Sequence, residues 1–165
     1  MNVVARRFGD INPPRDLELP KGDPVARAQI QKMLSEMESA PSDCVMGEDE
    51  FKTDHYFSDG VYCRQIFLPK GVFVVGKIHR TSHLNIISTG DVTVRTQYGI
   101  DRLKGPCTFK SEVWTQRAVL AHEDTIWTCV HPTELTDVDE IEADIIAKSY
   151  DEYDKLLEGG VKWLG

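Results

Sequence analysis

Two of the five histidines lie close to a lysine in one segment, GVFVVGKIHRTSHLNIISTG, at residues 71–90. The alternation of apolar and polar residues in this segment predicts paired β-strands. Because side chains alternate between faces along a strand, Lys77 and His79 share one face, and His83 and Asn85 share a face on the next strand. An amine, two imidazoles and an amide on the inner wall of a barrel would form a polar pocket.

The residues around this segment predict a barrel or sandwich of short strands. Between residues 51 and 132 the chain repeats short alternating runs, separated by turn signals such as SDG, PKG and HED. Many short strands at nearly even spacing are typical of an all-β sandwich or barrel. We therefore predict a mainly β fold for this part of the chain.

Helices are predicted on both sides of the strands. An extended, proline-containing arm comes first, followed by a helix with Asp23 as N-cap and Pro24 in its first turn. After Pro132, an apolar stripe at helical spacing predicts one acidic C-terminal helix that ends at Gly159–Gly160. The predicted boundaries are 1–50 for the arm and helix, 51–132 for the barrel and 133–165 for the C-terminal helix and tail, together one structural domain.

Composition and charge exclude several classes of protein. The chain has 165 residues, of which 41% are hydrophobic and 28% charged, which is ordinary for a soluble globular protein. No apolar run is long enough to span a membrane, and the N-terminus lacks the apolar core of a signal peptide, so we expect a cytoplasmic protein without a membrane partner. The net charge of −8 argues against nucleic acid as a partner.

The spacing within residues 71–90 resembles the first motif of the cupin superfamily. That motif is Gly, five residues, His-x-His, three or four residues, Glu, six residues and Gly. In this chain Gly71, Lys77, His79, His83 and Gly90 occupy those positions. The resemblance implies a single antiparallel jelly-roll barrel of the cupin type. The wider pattern also resembles small uncharacterised cupin-like proteins of bacteriophages, which implies a phage origin.

The resemblance also indicates which residues would hold a metal ion. A second cupin motif, counted from Gly105, matches only in its glycine and has Gln116 at its histidine position. The four positions that bind the ion in metal-dependent cupins are therefore Lys77, His79, His83 and Gln116. Because a lysine ammonium has no lone pair and glutamine is a weak ligand, we expect no cofactor. The alternative is zinc, iron, manganese or nickel on His79 and His83, with His131 or His55 as a third ligand.

A pocket of this kind would take a small anionic or polar molecule. Its predicted ligand-binding residues are Lys77, His79, His83, Asn85, Gln116 and Arg117. These side chains supply hydrogen-bond donors and positive charge, which suit a sugar phosphate, a nucleotide or a carboxylate. In the alternative interpretation, the same side chains satisfy one another inside a barrel whose pocket is a remnant.

These observations predict a small-molecule-binding cupin protein without a metal, encoded by a bacteriophage, that sequesters an anionic metabolite or nucleotide. We name no catalytic residue, because no nucleophile elbow, phosphate loop or dinucleotide fingerprint is present. Two alternatives stay open: a structural, assembly or host-interaction protein such as a virion component, and a metal-dependent cupin enzyme. We also expect a homodimer or a higher homo-oligomer, and leave a further protein partner open.

Overall fold

The computed structural model describes residues 21–41 and 51–158. Its helices are α1 (Pro24–Glu38), α2 (Val138–Ile145) and α3 (Asp151–Glu158). Its strands are β1 (Thr53–Ser58), β2 (Val61–Leu68), β3 (Phe73–Val75), β4 (Ile78–His79), β5 (His83–Thr89), β6 (Asp91–Thr96), β7 (Gly99–Lys104), β8 (Cys107–Ser111), β9 (Ala118–Ala121), β10 (Thr125–Pro132) and β11 (Ile146–Ala147). The fold is mainly β, as the alternation predicts.

Two antiparallel sheets form the barrel. One has the strand order β1-β2-β10-β5-β8 and the other the order β3-β9-β6-β7. Strands distant in sequence lie side by side, as β10 does between β2 and β5, which is typical of a jelly roll. The inner faces of both sheets contribute to one apolar cluster, which includes Ile87 and Trp127 from the first sheet and Val92 and Val119 from the second. The predicted barrel with flanking helices is confirmed.

Local sequence signals place several element ends correctly. The Asp23 carboxylate accepts a hydrogen bond from the Val25 amide at 2.9 Å and Pro24 opens α1, as predicted. The runs VYCRQIFL and AVLA coincide with β2 and β9. These signals succeed because caps and turns depend on neighbouring residues alone.

The strands of residues 71–90 are not paired with one another, which corrects one expectation. β3 pairs with β9, β4 pairs with β11, and β5 lies between β10 and β8. The chain leaves strand conformation at residues 76–77 and again at residues 80–82, so it passes from one sheet to the next. His79 and His83 therefore lie on consecutive strands that do not pair with each other, and the histidine that joins them, His131, lies on the distant strand β10.

The C-terminal acidic segment is not one helix, which corrects a second expectation. α2 ends at Ile145, and Ile146 takes an extended backbone with φ −107° and ψ 132°. Ile146 and Ala147 then pair with His79 and Ile78 as β11 and β4. Pairing with a strand that is distant in sequence thus overrides the helical period.

Three expectations concern parts of the chain that the structure does not describe or describes only partly. The proline-containing arm at residues 1–20 and the helix end at Gly159–Gly160 lie outside the described residues. Within the described ranges, no helix is long and apolar enough to cross a membrane.

Candidate metal and ligand site

The register of the five-stranded sheet arranges its inward side chains in three rows. The histidine row contains Tyr62, His131, His83 and Ser111. The asparagine row contains Arg64, Cys129, Asn85 and Phe109. The tryptophan row contains Ile66, Trp127, Ile87 and Cys107. Polarity therefore falls along the same strands, from imidazoles at one end of the barrel interior to aliphatic and aromatic side chains at the other.

Three histidines from three strands meet at the polar end. His83 on β5 and His131 on β10 have ring centroids 4.4 Å apart, and His79 on β4 lies 4.4 Å from His83 and 5.3 Å from His131. One ring nitrogen of each histidine lies within 4.8 Å of the others. Donors bound to one tetrahedral ion lie about 3.4 Å apart, given bonds of about 2.1 Å, so binding would draw the rings together.

Each of these histidines has a buried ring nitrogen that finds no hydrogen-bond partner among the described residues. The atoms are His79 Nδ1, His83 Nε2 and His131 Nδ1. His83 Nδ1 lies 3.3 Å from the carbonyl oxygen of Thr81, and donation to that oxygen leaves a lone pair on Nε2. A buried polar atom without a partner costs stability unless it serves another purpose.

Burial keeps the three imidazoles neutral. Loss of solvent, followed by repulsion from the neighbouring histidines and from Arg117 and Arg64, holds the pKa of His79 well below its usual value. Burial also lowers the pKa of His83 to about 3 and that of His131 to about 4, with Arg117 adding to the effect at His83 and Arg64 at His131. At neutral pH all three rings therefore keep the lone pairs that a metal ion requires.

The site opens onto a cavity of about 690 Å³. The apolar part of its wall includes Ile66, Leu68, Val74, Val119 and Trp127. The charged part, within the described residues, consists of Arg64, Lys77, Arg117 and Glu142. Three cations and one carboxylate favour an anionic ligand, and the volume is within the range of small-molecule sites.

Two of the predicted ligand-binding residues lie on this wall next to the histidines. Arg117 donates from Nη2 to Ser111 Oγ at 2.7 Å, and its guanidinium carbon lies 5.8 Å from the centre of the Phe109 ring. Asn85 is 0% exposed, and its Oδ1 accepts from Trp127 Nε1 at 2.9 Å. Asn85 Nδ2 finds no acceptor within residues 21–41 and 51–158.

Lys77 lies at the edge of the site. It contributes to the cavity wall, and its Nζ donates to both carboxylate oxygens of Glu142 at 2.9 Å. This ion pair connects the β3–β4 link to α2 across the cavity edge. Lys77 therefore occupies the position of the first cupin histidine in sequence spacing while its ammonium binds a carboxylate.

Gln116 is directed to a different part of the molecule from the other predicted ligand-binding residues. Its Nε2 donates to the carbonyl oxygen of Gly76 at 2.9 Å, and its Oε1 accepts from Gln31 on α1 at 2.5 Å. It is buried, but it is not part of the cavity wall. Gln116 thus attaches α1 to the β3–β4 link.

A third nitrogen donor comes from His131 on β10, which lies with His79 and His83. His131 was an open alternative together with His55, and spacing alone did not distinguish them. His55 instead makes a 2.7 Å hydrogen bond from Nδ1 to the Tyr62 hydroxyl and is exposed. A signal for His131 is present in the sequence: it shares parity with Trp127 and Cys129 on one strand.

Arg64 was also missed by sequence reasoning. It lies on β2 between Tyr62 and Ile66 at the same parity, and all three face the cavity. A charged residue at an inward position of a strand could have indicated a polar site, since charge is costly to bury without a purpose.

No protein-family model and no curated protein matches this sequence, whereas solved structures do match. A cupin-2 domain containing protein from Shewanella frigidimarina is 10% identical, with 50% of this chain and 80% of that chain covered and a TM-score of 0.42. A cupin superfamily protein from Desulfitobacterium hafniense is 13% identical, with 72% and 98% covered and a TM-score of 0.44. A salicylate 1,2-dioxygenase from Pseudaminobacter salicylatoxidans is 15% identical, with 72% and 35% covered and a TM-score of 0.49.

The fold of this chain is an antiparallel jelly-roll barrel, which is the fold that the motif spacing implies. Two antiparallel sheets in jelly-roll order enclose the cavity, and the central motif supplies β3, β4 and β5 around it. At these identities the similarity to solved structures concerns fold alone, so the chemistry must be argued from the side chains of this chain.

Proposed function

We propose that this protein is a metal-dependent enzyme of the cupin type that acts on a small organic anion. The observation that carries the proposal is the meeting of His79, His83 and His131, each with an unpartnered buried ring nitrogen. Structural metal sites are usually closed by four protein ligands, whereas catalytic sites use three and keep a position open. Three imidazoles beside a cavity fit the catalytic pattern.

The donor set suits a divalent transition metal. Neutral imidazole binds zinc, iron, copper and nickel well, and low pKa values keep these rings neutral at physiological pH. When bound, the ion would supply a Lewis acid that polarises an oxygen atom of the substrate. His79, His83 and His131 would hold the ion, while Arg117 and the apolar wall would orient the substrate.

The cavity distinguishes this proposal from a purely structural role. A barrel that served only as a scaffold would be expected to fill its interior, because unfilled volume and unpartnered polar atoms both lower stability. Here an open volume of about 690 Å³ adjoins the histidines. Metal-free binding of an anionic ligand remains the second candidate, since the positive charge of the cavity wall favours it without an ion.

Metal analysis of the purified protein tests the proposal. We expect about one equivalent of a transition metal after equilibrium loading with zinc, manganese, iron or nickel. His83→Ala and His131→Ala should each lower the affinity at least about tenfold. His122→Ala is the matched control, because His122 bonds to Thr93 Oγ1 at 2.7 Å, outside this group of histidines, and its loss should leave the affinity unchanged.

Two results would contradict the metal-dependent function. One is a wild-type protein that binds no ion under these conditions, and the other is an equal loss of affinity in His122→Ala and His131→Ala. In either case the metal-free binding protein becomes the better description, and a thermal-shift screen with anionic metabolites would follow.

The bacteriophage origin, the cytoplasmic location and the homo-oligomeric state stay predictions from the sequence. Light scattering of the purified protein would measure the oligomeric state directly. A virion role would be tested by the presence of the protein in purified particles.

A further inference from the structure

We propose that Arg117 and Asn85 form an anchor for the carboxylate group of a ligand, beside the histidines, so that the substrate class is a carboxylic acid with an apolar body. This inference rests on the proposed function only in that both use one cavity. The anchor would set which molecule enters and how it is oriented, whereas the histidines would hold the ion.

Arg117 is a partly buried cation without a carboxylate partner in the described part of the chain. Its contacts are the Ser111 hydroxyl, the Phe109 ring and the cavity itself. Isolated buried charge is costly, and buried guanidinium groups are normally paired with an anion. Arg117 therefore has the properties of a group whose anion arrives with the ligand.

The guanidinium is held in place before any ligand binds. Ser111, which is 1% exposed, accepts its hydrogen bond at 2.7 Å. The backbone carbonyl of Arg117 accepts from the Gly76 amide at 2.8 Å, which ties the residue to the β3–β4 link. An arginine whose backbone and guanidinium are both held by hydrogen bonds loses little entropy when it binds a carboxylate. The planar guanidinium can donate two parallel hydrogen bonds to the two carboxylate oxygens.

Asn85 supplies a second donor on the same wall. Phe109, over which Arg117 lies, is the direct cross-strand neighbour of Asn85. Because Trp127 occupies Oδ1, the amide orientation is set and Nδ2 is the atom left over. A fully buried N–H donor and a cation on one cavity wall, neither with an anionic partner among the described residues, indicate a ligand oxygen that bears negative charge.

The remainder of the wall indicates the body of the ligand. Ile66, Leu68, Val119 and Trp127 line the cavity next to the asparagine row. These four side chains are apolar, and the further cations of the wall are Arg64, at the end of the asparagine row, and Lys77, which binds Glu142. A compact apolar acid therefore fits better than a sugar phosphate or a nucleotide.

Isothermal titration calorimetry with two ligands of the same shape, one charged and one neutral, tests the carboxylate anchor. Cyclohexanecarboxylate carries the charge, and cyclohexanecarboxamide does not. We expect the carboxylate to bind at least about tenfold more tightly to chelator-treated protein, because charge-assisted hydrogen bonds contribute more than neutral ones. Inorganic phosphate should compete weakly, and phosphate that competed as well as the carboxylate would overturn the assignment of substrate class.

Single substitutions test which side chains cause the preference for the carboxylate. Arg117→Gln should lower the carboxylate affinity at least about tenfold and leave the carboxamide unchanged, while Arg117→Lys should retain part of it. Asn85→Asp keeps the acceptor for Trp127 but replaces the N–H donor, so it should lose carboxylate binding while the protein remains folded. Arg64→Gln, which removes a second arginine of the same cavity, should lower the carboxylate affinity less than Arg117→Gln does. An equal loss in Arg64→Gln would show a general field of charge and overturn the anchor.

The two proposals fail separately. If the protein binds no ion, yet carboxylate affinity depends on Arg117, the metal function is wrong and the anchor stands. If the ion binds, yet chelator-treated protein shows no preference for carboxylate or no dependence on Arg117, the anchor is wrong and the metal centre stands. Circular dichroism of each variant confirms that a loss of binding is not a loss of fold.

Discussion

The histidine row and the tryptophan row lie on the same four strands, and both are largely buried. They differ in whether their buried polar atoms have hydrogen-bond partners. In the tryptophan row, Ile87 is enclosed by apolar neighbours and the Trp127 indole N–H is paired with Asn85. In the histidine row, His83 and His131 each have a buried nitrogen that no group in the described part of the chain pairs with. Burial thus stabilises the tryptophan end of the barrel. At the histidine end the buried ring nitrogens lower stability, but their lone pairs are available to bind an ion.

Removing a tryptophan-row side chain should produce the largest loss of stability. Ile87 is 0% exposed, so Ile87→Ala removes buried methyl groups and leaves a cavity. We expect the free energy of unfolding to fall by about 2–5 kcal/mol, measured by urea denaturation. Ion binding by the folded fraction should be unchanged. A fall below about 1 kcal/mol would mean that this end of the barrel is not the main stabilising cluster.

Acid should destabilise the metal-free protein through the histidine row. Burial lowers the pKa of His131 to about 4, whereas an unfolded histidine has a pKa of about 6.5. Between these values the unfolded chain binds a proton that the folded chain excludes, so stability falls as the pH falls from about 6.5 to about 4, by about 3 kcal/mol at most for this residue.

The pH dependence has a specific control. The measured slope belongs to the three histidines together, because neighbouring sites titrate jointly. His131→Gln should flatten the decline in urea midpoint between pH 6.5 and pH 4, and His122→Gln should not. A wild-type midpoint that is constant over this range would show that the imidazoles are solvated in solution.

Replacing a histidine by an apolar side chain should raise the free energy of unfolding, whereas Ile87→Ala should lower it. His131→Leu removes a buried unpartnered nitrogen and keeps most of the volume. We expect the metal-free protein at pH 7 to gain about 1 kcal/mol in unfolding free energy, while ion binding is lost. A marked loss of stability would indicate that the histidines support the fold rather than a ligand.

The ion pair at the cavity edge should have the smallest effect. The side chains of Lys77 and Glu142 are 43% and 35% exposed, so solvent screens their attraction. Lys77→Met should change the free energy of unfolding by less than about 1 kcal/mol. A double-mutant cycle with Glu142→Gln measures the coupling, and a value above about 2 kcal/mol would place this pair among the main determinants of stability.

Local patterns predicted much of the fold because local physics controls those features. Asp23 and Pro24 begin α1 through their own geometry, and alternation along Val61–Leu68 reflects one buried face. The break after Ile145 was not predictable in this way. Its cause is the pairing of Ile146 with His79, and that partner lies far away in sequence.

The residues of the candidate site were likewise predictable only in part. Residue types and spacing identified His79, His83, Asn85 and Arg117 as polar groups of one region, and the structure places all four around the cavity or beside it. The same spacing assigned Gln116 to that region, but its amide bonds to Gln31 and to the Gly76 carbonyl instead. Sequence spacing predicts which face of a strand a residue lies on, but it does not predict which residues pack against that face.

The amino-acid sequence by itself determined that this protein is mainly β, where its first helix begins, and that two imidazoles lie close together in its central segment. Those properties follow from side-chain period, capping and composition, which act over a few residues. Only the tertiary structure decided that His131 is the third histidine and that Arg117 lacks a carboxylate partner in the described residues. Both depend on strand register between distant segments, which buries one set of side chains against another.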